Sequence, residues 1–597
     1  MNRSLRLGLF IIIGIVIYAY GFTVTQVNLD ELDSPARQES LTRIIRALAR
    51  PDFLEWEQEE VTVERPIYVP CPDGGAPEPS VDTAGPYMLA PACAAPGSEI
   101  GVEGFNFAPN STGPLNFIPP SGVSLQLDRI ETDGAGHFQT TVELRDRESE
   151  EPQHLRAITR TNVGWPHLSQ NGKDTIDKII ETVFMALLAT TLGTLLAIPV
   201  SFFAARNLMK SVSSPLPSVA LMIIGVPIGM WLGAQAAELL ARVPGFFALG
   251  PLAYVGGFAV SGALAFGALR LAVPPPDAAR PSSRPRVVQL AVAFVAVALV
   301  VLALFFLSDF LDALGRALAP RLGAFGFVGD FVSDIGQIFR LILPPACALI
   351  GGGVLWSVTG RLGQWLVERV NPATGKLLNF VLAAVAGAVL FVLIGLGLAW
   401  LYQITSVRYV IVWPAVVGAL VGLFVAARTP YHASLPIGLT IYGVTRTVLN
   451  ALRSVEALIM VIVFAVWVGI GPFAGVLALG LHTVAALAKL YSEQVESISN
   501  GPLEAVLATG ANRLQMIVYA VIPQIVPPYI SFTMYRWDIN VRMSTIIGFA
   551  GGGGIGFLLQ QNINLLNYRA ASAQIIAIAI VVSAMDYLSS ALRQRTL

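Results

Sequence analysis

The chain has 597 residues, of which 54% are hydrophobic and only 13% charged, against roughly 25% charged in an average soluble domain. Its formal net charge of −1 leaves no basic field for nucleic acid, and its three cysteines form no C-x-x-C or Cys/His cluster that would hold a metal. A mean hydropathy of +0.65 means more apolar surface than one water-soluble core can hide, so lipid must solvate most of it.

The first element is the run Leu7–Thr23, preceded by Arg3 and Arg6. No small-residue cleavage site follows it, so residues 1–27 are read as an uncleaved membrane anchor rather than a signal peptide. Residues 28–58 carry Leu41, Ile44, Ile45, Leu48 and Ala49 at helical spacing, which suits an amphipathic linker helix along the membrane surface. Over 59–162 the pattern changes to short β-rich runs (VTVERPIYV, SEIGVEGFNF, VSLQLDRI, HFQTTVEL, HLRAITR) broken by Pro, Gly, Asn and Asp. Asp133 to Gly136 reads as a turn between two of them. Such spacing predicts a small β-sandwich, and the segment from Ser98 to Leu144 resembles bacterial immunoglobulin-like modules of cell surfaces. Cys71 and Cys93 flank a Pro/Gly-rich loop here. Outside the cytoplasm they can form a disulfide; two unpaired thiols are the alternative.

From residue 176 onward the chain is nearly all membrane. Apolar stretches fall near 178–204, 217–240, 250–271, 288–308, 339–357, 378–402, 409–427, 452–470, 473–491, 515–534 and 572–591. With the anchor these predict about twelve transmembrane helices, each near the length that crosses about 30 Å of hydrocarbon. The stretches 309–335 and 540–565 are interrupted by Gly, Asp and Asn and are not counted as spans. A cytoplasmic N-terminus puts Arg206, Lys210, Arg280, Arg284, Arg286, Arg361, Arg369, Lys376, Arg428, Arg446 and Arg513 in inner loops, with Arg593 and Arg595 at a cytoplasmic C-terminus. The outer loops hold mainly Arg242, Arg316, Arg321 and Arg408. That bias follows the positive-inside rule and places the β-rich region outside the cytoplasm. The expected fold is an all-α polytopic membrane protein with a small extracytoplasmic β-sandwich domain.

One polar loop between late spans stands out: EQVESISNGPLEAVLATGANRLQMIVYAVIPQIVPP. Pro502 suits the first position of a short helix, Glu504 its first turn, and Gly510 its end. Such a helix, 501–510, offers a grip for a soluble partner. Glu504, Ala505 and Gly510, with Ile522 and Pro523 downstream, resemble the E-A-A…G…I-x-L-P loop of ATP-binding-cassette importer permeases, with Val506 where a second alanine is common. In that family the loop is the coupling helix that docks on the ATPase. Three further blocks, Glu181–Met209, Leu449–Ser497 and Tyr535–Gln561, resemble the phosphonate-type permeases within the type I, methionine-uptake-like group. The likeness splits the permease core into 176–209 and 448–597. Between them lies an inserted segment, 210–447, with six predicted spans. An even insertion leaves every later span in its original orientation.

The resemblance implies a pair of ATPase subunits that bind ATP and Mg, an extracytoplasmic solute-binding protein, a second copy of this chain, and a bacterial inner membrane around them. No P-loop and no nucleophile–base set occurs in the sequence, so no catalytic residue, metal or cofactor is expected in this chain. Candidate pathway residues are Arg536, Asp538, Asn540 and Arg542, which follow a span. Ionisable groups at membrane depth are costly and commonly face a cavity, and Arg matches the oxygens of phosphonate or phosphate. The plainer alternative is that Asp538 pairs with one or both arginines to fix the backbone. His482 lines the pore or is an ordinary hydrogen-bonded interior histidine. The glycine run that includes Gly551, Gly552, Gly553 and Gly554 is non-helical backbone that must line protein or a cavity rather than lipid. The reading is a permease subunit for phosphonate, phosphate or a related oxyanion. The alternative is a membrane scaffold that keeps the permease core without transport.

Overall fold

The computed structural model describes residues 3–26, 33–149, 151–210, 212–246, 251–272, 286–511 and 513–596. Arg280 and Arg284, counted above among the inner-loop cations, lie outside these. The chain is a multi-pass membrane protein. Among the described residues eleven helices are long and apolar enough to cross a membrane, or twelve if one bent pair counts as a span. In chain order, α1 (Arg3–Val24) and α2 (Pro35–Leu48) precede seven strands: β1 (Leu54–Ile67), β2 (Tyr87–Leu89), β3 (Glu99–Phe105), β4 (Thr112–Ile118), β5 (Leu125–Glu131), β6 (Phe138–Glu143) and β7 (Gln153–Leu168). The helices α3 (Gln170–Phe203) and α4 (Arg206–Lys210), the short strand β8 (Ser214–Pro215), then α5 (Leu216–Phe246), α6 (Pro251–Ala272), α7 (Arg286–Leu318), α8 (Gly326–Arg369), α9 (Pro372–Tyr402) and α10 (Trp413–Arg428) follow. After β9 (Ser434–Leu435) come α11 (Ile437–Ser454), α12 (Ala457–Val468), α13 (Pro472–Glu496), α14 (Asn500–Ala508), α15 (Arg513–Met516), α16 (Ile522–Gly548), α17 (Gly554–Asn564) and α18 (Tyr568–Thr596).

Two compact units divide the chain. One comprises 1–201 and 449–597, the other 202–448. In the first, the strands form a four-stranded sheet, β1-β7-β4-β5, and a three-stranded sheet, β2-β3-β6. Side chains of both sheets meet in one buried cluster that includes Ile67, Leu115, Phe117, Val102, Phe138 and Leu155. The Asp133 turn joins β5 of one sheet to β6 of the other. Its carboxylate accepts the backbone N–H groups of His137 at 2.9 Å and Ala135 at 2.8 Å, which hold it below the ordinary aspartate range. The strands β2 and β4 have no counterpart among the predicted runs. Gly113 and Pro114 disguise β4 as a loop, and they sit where the β4–β7 ladder skips from Thr112↔Arg160 to Leu115↔Ala157. Cys71 and Cys93 are joined in a disulfide with Cα atoms 5.0 Å apart.

The predicted linker helix does not reach residue 58. It ends at Leu48, and β1 begins at Leu54. Pro51 pushes the residue before it out of the helical region, and Leu54 to Glu60 then pair with Leu168 to Arg160 on β7. The strand pair therefore runs beyond both ends of the predicted 59–162 boundaries. Its base is stitched to the helices: the Ser169 N–H donates to the Phe53 carbonyl at 3.0 Å, and the Asp52 N–H to the Arg569 carbonyl at 3.2 Å. The Ser572 hydroxyl donates to the Leu48 carbonyl.

Much of the two predicted interruptions, 309–335 and 540–565, proves to be helix. Residues 309–318 continue α7, 326–335 open α8, and α16 runs on to Gly548. Asp309 and Asp312 can sit in helix because each finds a cation, Arg340 and Arg316 respectively. Conversely, the predicted span 452–470 is no single helix. It breaks between Ser454 and Ala457, and the two arms, α11 and α12, meet at 90°. In the second unit, α5 packs on α8 through small residues. A Cβ on Gly229 would collide with the Gly351 carbonyl, the close backbone approach that small residues permit between membrane helices.

Candidate functional site

The site is built on α16, where alternate polar residues point two ways. Side chains four apart share a helix face, and those two apart do not. Arg536 and Asn540 accordingly look toward α3 and α13, while Asp538 and Arg542 pair with each other. Asn540 is fully buried. Its Nδ2 donates to the Thr190 hydroxyl of α3 at 2.8 Å and to the Thr483 hydroxyl of α13 at 2.9 Å. The Thr190 hydroxyl donates its own proton to the Ala186 carbonyl at 2.7 Å and is free to accept. One asparagine thus ties three helices together.

Arg536 is 8% exposed. Its Nε donates to the Thr483 hydroxyl at 3.4 Å, and its Nη2 is buried without a hydrogen-bond partner. Asp538, 3% exposed, is engaged by Arg542, so among the described residues no carboxylate neutralises Arg536. A guanidinium desolvated this far without a counter-charge is expensive, and an anion is what would complete it. His482 precedes Thr483 on α13, is half-buried, and keeps Nδ1 without a partner. Toward the other end of α16, Tyr529 stacks on Tyr491 with ring centroids 3.8 Å apart. The Tyr529 hydroxyl lies 3.2 Å from that of Ser201, and the Tyr491 hydroxyl 2.5 Å from that of Thr533.

The glycine run turns sharply after α16. Gly551, Gly553 and Gly554 have φ of +87°, +74° and +70°, while Gly552 does not enter the left-handed region. The run is held from two sides. The Gly471 N–H, just before α13, donates to the Gly551 carbonyl at 2.9 Å. On α3, the Glu181 carboxylate accepts the Gly554 N–H at 2.8 Å and the Thr182 hydroxyl accepts the Ile555 N–H at 2.8 Å. These two residues cap α17 from 373 positions away, and Lys178 lies 2.5 Å from the other Glu181 oxygen. Sequence inspection did not single out Glu181 or Thr182. Their one signal is a carboxylate–hydroxyl pair at the head of an apolar run. Space is as decisive as φ: a Cβ on Gly554 would lie 2.6 Å from the Thr182 hydroxyl oxygen.

The polar loop lies after α13. The helix starts at Asn500, with Ser499 as N-cap, so Pro502 is its third residue. Pro still fits there, because first-turn N–H groups have no intrahelical partner. Glu504 is then the fifth residue, outside the first turn where the sequence had put it. Glu504 and Ala505 are exposed. Gly510 has φ +81° and donates its N–H to the Leu507 carbonyl at 3.0 Å, the left-handed end that favours glycine. Pro523 stands in the first turn of α16, immediately after a wide π-turn, Ile517–Val521.

Comparison with known proteins places these features. Residues 418–596 match the model of the family described as binding-protein-dependent transport system inner membrane component. A phosphite transport system permease protein of Stutzerimonas stutzeri is 43% identical over 180 residues, covering 30% of this chain and 64% of that protein. A phosphate-import permease protein of Mycolicibacterium smegmatis is 37% identical over 174 residues, 29% of this chain and 32% of that one. A protein of Escherichia coli named as a cryptic phosphonate transport system permease is 45% identical over 118 residues, 20% of this chain and 97% of its own length. For the first two, the match spans less than two thirds of the relative.

Proposed function

Because this chain belongs to the family of binding-protein-dependent transport system inner membrane components, we propose that it forms the translocation pathway of an ATP-binding-cassette importer for a phosphorus oxyanion. It does no chemistry on its solute: a separate ATPase pair binds ATP and Mg, and docks on α14. A solute-binding protein delivers the oxyanion on the outer face, and two copies of the chain enclose the path. The observation that carries the reading is Arg536, buried in the three-helix joint with an unpaired Nη2 and, among the described residues, no carboxylate opposite. The names of the relatives, which speak of phosphite, phosphate and phosphonate, support the same solute class.

In this reading both termini are cytoplasmic, the membrane is the bacterial inner membrane, and the two sheets are an extracytoplasmic β-sandwich. The Cys71–Cys93 disulfide supports that side, since such bonds persist in oxidising compartments. The glycine turn at 551–554 acts as gate backbone, and His482 faces the path. The deciding experiment is uptake by the complete complex in proteoliposomes over a panel of phosphite, phosphate and alkylphosphonates. Arg536→Ala removes a charge-assisted contact worth about 1.5–3 kcal/mol, so transport should fall roughly 10- to 100-fold. Solute affinity of the binding protein should stay the same. Wild-type complex that hydrolyses ATP but moves none of these anions would end the reading.

A further inference from the structure

Gln524 braces the docking helix against α16. Its Oε1 accepts the backbone N–H of Ser499, the N-cap of α14, at 3.0 Å, and its Nε2 donates to the Ala520 carbonyl at 2.7 Å. The first bond joins residues 25 apart in sequence, and the second anchors the amide on the turn before it. The surroundings make the brace necessary. Pro523 has no N–H to give, and the chain just before it widens into the π-turn Ile517–Val521. Wide turns of this kind recur at functional sites. The covalent route from α14 to α16 passes through this turn and the short α15. Without a second connection, a push on α14 would be absorbed there.

We propose that Gln524 is a positioning residue that makes α14 and the base of α16 move as one body, bypassing the π-turn. Arg536 lies twelve residues further along the same helix, ~18 Å at 1.5 Å per residue, so displacement of α14 reaches the anion-facing joint through α16. The inference rests on the transport reading given above and adds the residue through which ATPase motion enters the pathway. No other side chain is required to change partner: the two Gln524 bonds serve as a fixed link.

The test uses the complete complex in proteoliposomes, with uptake and ATP hydrolysis measured on the same vesicles. Gln524→Ala should keep ATPase docking and hydrolysis but slow uptake, so that ATP consumed per solute rises severalfold. Gln524→Glu keeps an acceptor for the Ser499 N–H but puts a carboxylate against the Ala520 carbonyl, and should be impaired in the same direction. Gln524→Asn shortens the reach and should not rescue. Unchanged ATP per solute in Gln524→Ala overturns the proposal. So does a proportional fall of both rates with a lowered melting temperature, which would make Gln524 merely structural. Failure of the wild-type complex to transport at all would instead strike the reading beneath it, while the stoichiometry of the variants speaks to Gln524 alone.

Discussion

At the scale of single residues, the polar stretch on α16 separates two jobs that its sequence intermixes. Arg542 lies four residues after Asp538 and takes its carboxylate; Arg536, two residues before, cannot reach the same face. Arg542→Ala should therefore strand a carboxylate that is 3% exposed; because the Arg542 side chain is itself half-exposed, the loss falls below that of a fully buried pair, about 1–2 kcal/mol. The thermal midpoint in detergent should fall, and the double change Asp538→Asn with Arg542→Ala should recover most of it. A double variant as unstable as the single one would refute the pairing. The spacing rule that settles this pairing was available from the sequence. What no spacing could reveal is Thr190 and Thr483, two hydroxyls among many on apolar helices, which matter only because α3 and α13 bring them to Asn540.

At the scale of elements, sequence pattern served best where a residue's chemistry is local. Gly510 announces the end of α14 by itself, since a helix commonly ends on a left-handed residue that favours glycine. Charge reversal at Glu504 and a β-branched side chain at Gly510 should each uncouple the protein. Glu504→Lys and Gly510→Val are expected to insert and dimerise yet abolish ATP-dependent uptake; normal transport by both would remove α14 from the mechanism. The glycine turn is different, because half of what holds it comes from α3. Glu181→Ala removes the cap of α17 and should lower stability by about 1 kcal/mol, with faster amide exchange at Gly554 and Ile555 as the local readout. Glu181→Gln keeps an acceptor oxygen and should lose less. The break between α11 and α12 also escaped the sequence. Arg453 and Glu456 flank it, but the hydropathy of LIMVIVFAVWV continues the apolar run, so averaging over a window hides a 90° bend.

At the scale of the whole molecule, two parts lie outside most of the stretch that matches the family model, residues 418–596. The sheets are one: if they lie outside the cytoplasm, Cys71 and Cys93 should resist a thiol reagent in the intact, non-reduced protein and react after reduction, and immediate labelling of both would contradict the bond. Their domain limits were blurred in sequence because β1 and β7 outrun the core they serve, pairing from Leu54↔Leu168 inward. The other part is the unit 202–448. Its apolar helices among the described residues are α5 to α10, an even number, so removing them should not invert anything downstream. Orientation of later spans follows the parity of earlier ones and the basic residues of the inner loops; excision of 210–447 keeps the parity but removes most of those inner-loop cations, leaving Arg206 and Arg513 to favour the cytoplasmic side. The shortened chain should still present α14 to the cytoplasm. A cysteine at position 504, labelled with a membrane-impermeant maleimide in sealed vesicles of known sidedness, reads this directly. Labelling from the cytoplasmic face alone, in both full-length and excised chains, is the expected outcome. Labelling of the excised chain from the outer face would show that the insert, through something other than parity, sets the topology of the core.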